Sequence, residues 1–454
     1  MEKTEQKARV YLDSLGCVKN LVDSEMALGL LADAGFLLTD EPEEAQVIIV
    51  NTCGFINDAK EESIARILEL ADLKEKNCRL LVVCGCLSQR YRQELRQEMP
   101  EIDLLLGTEE YGCLVEKIDR ALSLTPKPCD FRLEESLRRR VRLTAPYTAY
   151  LKVAEGCDNH CAFCAIPGIR GPLKSRRVED IVAEARVLRA EGVEELILIA
   201  QDTTAYGMDL YGEPSLPRLL EAVAPLGFHW IRALYSYPDR IDESLLRVMT
   251  AHENICHYLD LPLQHIDRGV LRKMGRRYGR REAEALLRQI QEIMPDCAIR
   301  TTFMVGFPGE TDEQFEELLD FAASANLPWA GVFMYSPEED TPAAAMPNQV
   351  EERKKARRYN RLRGALGLSA QEWNAGLVGK TLEILLEGPS EYLPGYMEGR
   401  SRYHAPDVDG VVYVENLDGC LTAADIGRFV QVEIHTAETY DLIGRLRSEE
   451  KTAE

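Results

Sequence analysis

No stretch of about 18 consecutive apolar residues occurs in the 454-residue chain, which argues against a membrane-spanning helix. The opening MEKTEQKARV lacks the apolar core of a secretory leader, so a cytoplasmic location is expected. Excess positive charge is missing too. At a formal net charge of −22 the chain is poorly suited to loose attraction by phosphate backbones or anionic membranes, and better suited to a positively charged partner. Low-complexity segments are absent. The 13 cysteines cannot all pair, being odd in number, and in a cytoplasmic chain of this size thiols serve as metal ligands or catalytic groups more readily than as disulfides. The rest is an ordinary globular composition, 45% apolar, long enough for two to four domains.

Residues 7–125 alternate strand-like and helix-like runs: RVYLDSLGC, a helix from Leu21 to Ala34, QVIIVNTCG, a helix from Asn57 to Leu73, and RLLVVCGC. This pattern predicts an open parallel α/β sheet. Residues 126–146, rich in proline and charge without clean periodicity, read as a linker. From Tyr147 to 372 come six β-like runs, each followed by a helical pattern: YLKVAEGC, ELILIAQDT, WIRALYSYP, HYLDLPLQH, IRTTFMVGFPGE and AGVFMYSP. Repeated βα units at this spacing curl into a barrel, and six of them suggest an open (β/α)6 one. The charged helix EERKKARRYNRLRGAL then separates the barrel from residues 373–445, whose short alternating runs predict a small antiparallel β-barrel.

The stretch EGCDNHCAFCAIPG places Cys157, Cys161 and Cys164 three and then two residues apart, directly after the first barrel strand. A structural zinc site wants four protein ligands, and ferredoxin spacing has shorter first gaps and a fourth cysteine. A four-iron cubane on three thiolates keeps one iron open for another molecule. The alternative is a partial zinc site or a chance cluster. Barrel chemistry sits at the carboxyl ends of strands, so Gln201 and Asp202 after the second strand, and Gly306 and Gly309 in the GFPGET turn after the fifth, are candidate cofactor contacts; turn and helix-cap roles would suit them equally.

Cys17, Cys53 and Cys86 follow three predicted parallel strands of the first domain, whose ends converge on one crevice. They could hold a second cluster, or pack as small apolar groups. Cys84, in the same CGC, competes with Cys86. Cys78, Cys113, Cys129, Cys256, Cys297 and Cys420 have no partner pattern, and His160 and His265 are not expected to be ligands.

The CxxxCxxC stretch resembles the motif of the radical SAM superfamily, and SLGCVKNLVDSE, NTCGFI, CGCLSQRY and AIPGIRGPLKSRRVEDI resemble its methylthiotransferase family along nearly the whole chain. The resemblance implies two [4Fe-4S] clusters, one on Cys157, Cys161 and Cys164 that binds S-adenosyl-L-methionine and one on Cys17, Cys53 and Cys86, which favours Cys86 over Cys84. It implies a partial TIM barrel, a TRAM tail, and no catalytic residue beyond the cluster ligands. It also implies an external electron donor, a reductase or flavodoxin-like protein, and a sulfur donor. One branch of the family modifies an aspartate β-carbon in small-subunit ribosomal protein twelve, and another a modified adenosine beside the tRNA anticodon. SLGCVKNLVDSE and GRSRYHAPDVDG are similar to the ribosomal branch. From Gly376 to Arg445, 5 Lys or Arg face 12 Asp or Glu, a balance of about −7 that would repel RNA and attract a basic protein.

Overall fold

The computed structural model describes residues 7–124, 133–417 and 419–447. Its first sheet contains β1 (Arg9–Ser14), β2 (Leu37–Leu38), β3 (Val47–Thr52), β4 (Leu80–Gly85) and β5 (Leu104–Leu105), in the order β2-β1-β3-β4-β5 with every pair parallel. The central strands VIIVNT and LLVVCG are buried at every position, because helices cover both faces. Alternation divides them: Val47 and Ile49 pack with Val22, Met26 and Leu31 of the helix Val18–Asp33, while Ile48 and Val50 pack with Ile67 and Leu70 of the helix Asn57–Ala71.

The central section contains β6 (Thr148–Lys152), the short antiparallel pair β7 (Ala154–Glu155) and β8 (Lys174–Ser175), then β9 (Glu195–Ile199), β10 (Trp230–Ala233), β11 (Tyr258–Asp260), β12 (Ala298–Val305) and β13 (Trp329–Met334). Sheets β6-β9-β10 and β11-β12-β13 are joined by one parallel bridge, Ile231 to Ile255, so six parallel strands follow one another in chain order. Among the described residues β6 and β13 do not pair, which leaves the barrel open as expected. Outward side chains such as Leu151, Leu198 and Ile231 meet the helices. Inward ones, including Tyr150, Ile197, Trp230 and Tyr258, share a core with the Val18–Asp33 helix and with Leu385 and Ala405 of the tail. The barrel interior is therefore stoppered by the first domain and by the tail.

Two stretches differ from expectation. Residues 125–132 of the expected linker lie outside the described residues, but the remainder opens with the helix Leu133–Arg138, clamped by buried Leu137 and by Arg140, which pairs with Glu25 at 3.1 Å and Glu184 at 3.5 Å. Of its charges, Arg140 and Glu134 pair with buried partners, while Glu135, Arg138 and Arg139 stay exposed. The charged helix Glu352–Ala375 does not stand between domains either: it covers β13, with Leu362 and Leu366 in the barrel core and buried Arg358 paired to Glu310 at 3.2 Å.

The tail strands β14 (Thr381–Pro389), β15 (Tyr396–Ser401), β16 (Val412–Glu415), β17 (Phe429–Ala437) and β18 (Leu442–Leu446) close in the order β14-β15-β16-β18-β17. Four contacts are antiparallel, but β16 and β18 run parallel, because the chain crosses the barrel end before β17 and returns beside β16.

Candidate active site

Cys157, Cys161 and Cys164 lie on a loop fixed by its backbone: Cys157 N–H donates to Gly171 O (3.1 Å), Ala162 N–H to Met274 O (3.0 Å) and Cys164 N–H to Cys161 O (3.0 Å). Gly156 enters it at φ +73°, and a β-carbon there would stand 2.0 Å from Pro172 O, so only glycine fits. Cys161 lies close enough to Cys157 and Cys164 to oppose their ionisation. Burial, more than this repulsion, pushes Cys157 up to about 11 and Cys164 up to about 12. Such thiols stay protonated until a metal displaces the proton.

The second set is assembled from three strand-end loops. Cys17 precedes the helix Val18–Asp33, Cys53 follows β3, and Cys86 begins the short helix Cys86–Arg90 after β4. Gly16, at φ +87°, abuts Cys53, whose Cβ and Sγ would lie 2.7 and 3.1 Å from an added methyl. Asn20 staples the loops, donating to Leu15 O and Thr52 O, both at 3.0 Å, and accepting from Cys86 Sγ at 3.6 Å. Desolvation raises the Cys17 pKa, but Lys19 and Arg170 outweigh it and leave the thiol lowered. Burial raises Cys53, and pushes Cys86 up to about 11 against the pull of Arg170. Cys84 is turned away within β4, where Tyr111 Oη donates to its sulfur at 3.8 Å and burial pushes it up to about 12.

Between the two sets runs a buried ionic network that the sequence did not reveal. Arg170 pairs with Asp23 at 2.9 Å and Glu155 at 3.1 Å and also donates to Asn20. Lys152 pairs with Asp23 and, at 2.7 Å, with Glu155. Lys19, also buried, lies over the Tyr235 ring, 3.0 Å from its centroid. Gln201 joins the network by donating to Glu155 at 2.6 Å, and Asp202 accepts from Asn159 of the thiol loop at 2.6 Å. Gly306 and Gly309 both have positive φ, +76° and +74°, but the space beside Gly306 is filled by Lys355 and that beside Gly309 by the Lys273 ammonium. Buried His265 faces Glu310, and His160 is exposed. Cys78, Cys256 and Cys297 are buried packing thiols, while Cys129 lies outside the described residues.

Neither set contains a carboxylate or imidazole donor, and among the described residues no three His, Cys, Asp or Glu side chains, the thiol triplets included, converge tightly enough for a single ion. Soft, all-sulfur triplets suit iron–sulfur clusters, whose ligands stand farther apart than those of one metal ion.

Residues 9–107 match the Uncharacterized protein family UPF0004, 151–322 the Radical SAM superfamily and 378–446 the TRAM domain. Ribosomal protein uS12 methylthiotransferase RimO of Desulforamulus reducens is 48% identical, covering 96% of this chain and 99% of the relative. The protein of that name from Geobacter sulfurreducens is 45% identical, covering 97% and 99%. The fold is similar to that of the radical S-adenosylmethionine methyltransferase TsrM of Kitasatospora setae, at a TM-score of 0.56 and 14% identity, covering 92% of this chain and 81% of that one. Domain order, sequence likeness along the full length and fold agree, and the chain belongs to the RimO methylthiotransferase family of radical SAM enzymes.

Proposed function

We propose that this chain adds a methylthio group to the β-carbon of an aspartate in ribosomal protein uS12, giving 3-methylthioaspartate, and works in the cytoplasm. The observation that supports this reading is that the loops carrying the two cysteine triplets, from different domains, are linked through Arg170, which pairs with Asp23 of the first domain and Glu155 of the barrel. Cys157, Cys161 and Cys164 would hold one [4Fe-4S] cluster, and Cys17, Cys53 and Cys86 the other. When bound, the first cluster with S-adenosyl-L-methionine would supply a hydrogen-abstracting 5′-deoxyadenosyl radical, and the second would offer an open iron to an exogenous sulfur that is methylated and transferred.

The chain's own residues arrange the site. The buried cations Lys19, Lys152 and Arg170 would offset part of the negative charge that six thiolates bring. Asn20 fixes the spacing of the Cys17, Cys53 and Cys86 loops. Gln201 orients Glu155, and Glu155 orients Arg170. The tail, at about −7, favours approach of a basic ribosomal protein and disfavours RNA. An electron donor and a sulfur donor complete the system.

The test incubates anaerobically reconstituted protein with S-adenosyl-L-methionine and dithionite, with uS12 and tRNA in separate reactions. A methylthio mass gain on uS12 alone is expected. A gain on tRNA alone would move the chain to the adenosine-modifying branch.

A further inference from the structure

The face of the first sheet that carries the helix Asn57–Ala71 holds an apolar groove with no cysteine in its lining. Its volume is about 530 Å³, and residues of that helix and of the helix Arg92–Glu98 border it. Buried Leu95 and Met99 line it together with Ile64 and Leu68, which lie one helical turn apart and are 38% and 46% exposed. Single exposed apolar side chains need no explanation, but several gathered in a concave surface with a polar rim are the mark of a docking site.

The rim has one sign. Glu61, Glu94, Glu98 and Glu339 border the groove, and among the described residues none of them has a cation at ion-pair distance. Lys60, the cation in its lining, is already paired with buried Glu338 at 3.0 Å. Glu339 also borders a cleft of about 320 Å³ that reaches Cys161 and Cys164, where Asp340 adds another carboxylate and Arg90 is held by Glu338 at 3.3 Å. Groove and cleft thus share an edge, and a polypeptide seated in the first has an acidic route to the second.

We infer that this groove of the first domain seats a lysine- and arginine-rich segment of the substrate protein, with its apolar side chains against Ile64, Leu68 and Met99 and its cations against the glutamate rim. Resting on the reading of uS12 as substrate, this seat adds a recognition surface outside the tail. Charge selects the occupant. RNA, an anionic membrane and a second copy of a chain at −22 are all repelled by four uncompensated carboxylates, and a basic polypeptide is attracted. The apolar lining supplies affinity that screened surface charges do not. Seating beside Glu339 brings the bound protein alongside the thiol loop, which the residue to be modified must approach.

The experiment uses the full, cluster-loaded chain and fluorescently labelled uS12, and reads the dissociation constant together with kcat and KM of methylthio transfer. Glu61→Lys/Glu98→Lys is expected to weaken uS12 binding about tenfold at low salt and to raise KM by the same factor with kcat retained, a defect that shrinks as salt rises. Ile64→Ser/Leu68→Ser is expected to weaken binding several-fold at every salt concentration, because burial of apolar surface is not screened. Glu221→Lys/Glu292→Lys makes the same charge change on exposed glutamates of two barrel helices, and should weaken binding about twofold at most. An equal loss in this control pair would assign the effect to net charge and overturn the proposal. Unchanged binding in the groove variants would overturn it, and so would a fall in their iron content and in S-adenosyl-L-methionine cleavage without uS12, which would assign these residues to the fold. Groove-dependent binding of uS12 by a wild type that transfers no methylthio group to it would support the seat and overturn the reaction assigned above. A wild type that binds and modifies tRNA but does not bind uS12 would overturn both.

Discussion

Arg170 shows what a single side chain settles here. With its side chain 2% exposed, it satisfies Asp23 from the first domain and Glu155 from the barrel. Arg170→Met would leave these carboxylates sharing Lys152 alone in a largely buried setting, so a loss of about 3 kcal/mol, the low end for a broken buried pair, is expected in denaturant unfolding. The cysteines divide differently. Replacing Cys157, Cys161 or Cys164 by Ala should abolish 5′-deoxyadenosine formation, while replacing Cys17, Cys53 or Cys86 should spare it and stop thiomethylation; chromatography of the nucleoside and mass analysis of uS12 separate the two. The cysteines are legible in the sequence because their spacing and their places after apolar runs are local facts. Arg170 and Lys152 are not, because their partner Asp23 lies 147 and 129 residues away and pairing at that range leaves no periodic trace. Gly306 reads as a ligand contact for the same reason: its neighbour Lys355 belongs to a distant helix.

At the scale of elements, the loop entered by Gly156 is the most constrained. Gly156→Ala combines a left-handed backbone with a collision against Pro172 O, a carbonyl fixed by its own chain. Iron content after reconstitution and nucleoside cleavage should both fall several-fold, whereas Gly168→Ala, which has open space at its β-carbon, should change neither. The buried parallel strands can be read from their apolar runs. The edge strands β2 and β5, two residues each, carry no such pattern. The helix Leu133–Arg138 is hidden because dense charge ordinarily marks a solvated run, whereas here Arg140 is buried between Glu25 and Glu184. In the tail, alternation identifies the strands but gives no direction of pairing, so the parallel contact of β16 with β18 has no signature in the sequence.

For the molecule as a whole, the tail is joined to the barrel by buried polar contacts. Arg400 reaches Glu195 at 2.7 Å, beside Arg232, and Trp329 Nε1–H donates to Tyr403 O at 2.7 Å. Barrel and tail should therefore unfold in one calorimetric transition, and Arg400→Met should lower its midpoint by several degrees. His404 adds a pH signature. Burial, then Arg232 and Arg400, lower its pKa from 6.5 to about 3, so the folded protein keeps it neutral. The unfolded chain binds a proton near pH 6.5 and the folded chain does not, so this contribution is complete above 6.5 and is lost as pH falls toward 3. His404→Gln should flatten the fall in thermal midpoint between pH 7 and pH 5, by the equivalent of about 1 kcal/mol per pH unit below 6.5.

The shared core between the Val18–Asp33 helix and the inward side chains of the barrel has a further effect during synthesis. The amino-terminal sheet leaves the translating ribosome with Val22, Met26 and Leu31 partly uncovered and Asp23 without its cations. Their complement arrives only when Tyr150, Lys152, Arg170 and Ile197 have emerged. A nascent chain halted near residue 140 should therefore engage a holdase chaperone, and one extended beyond residue 200 should release it progressively.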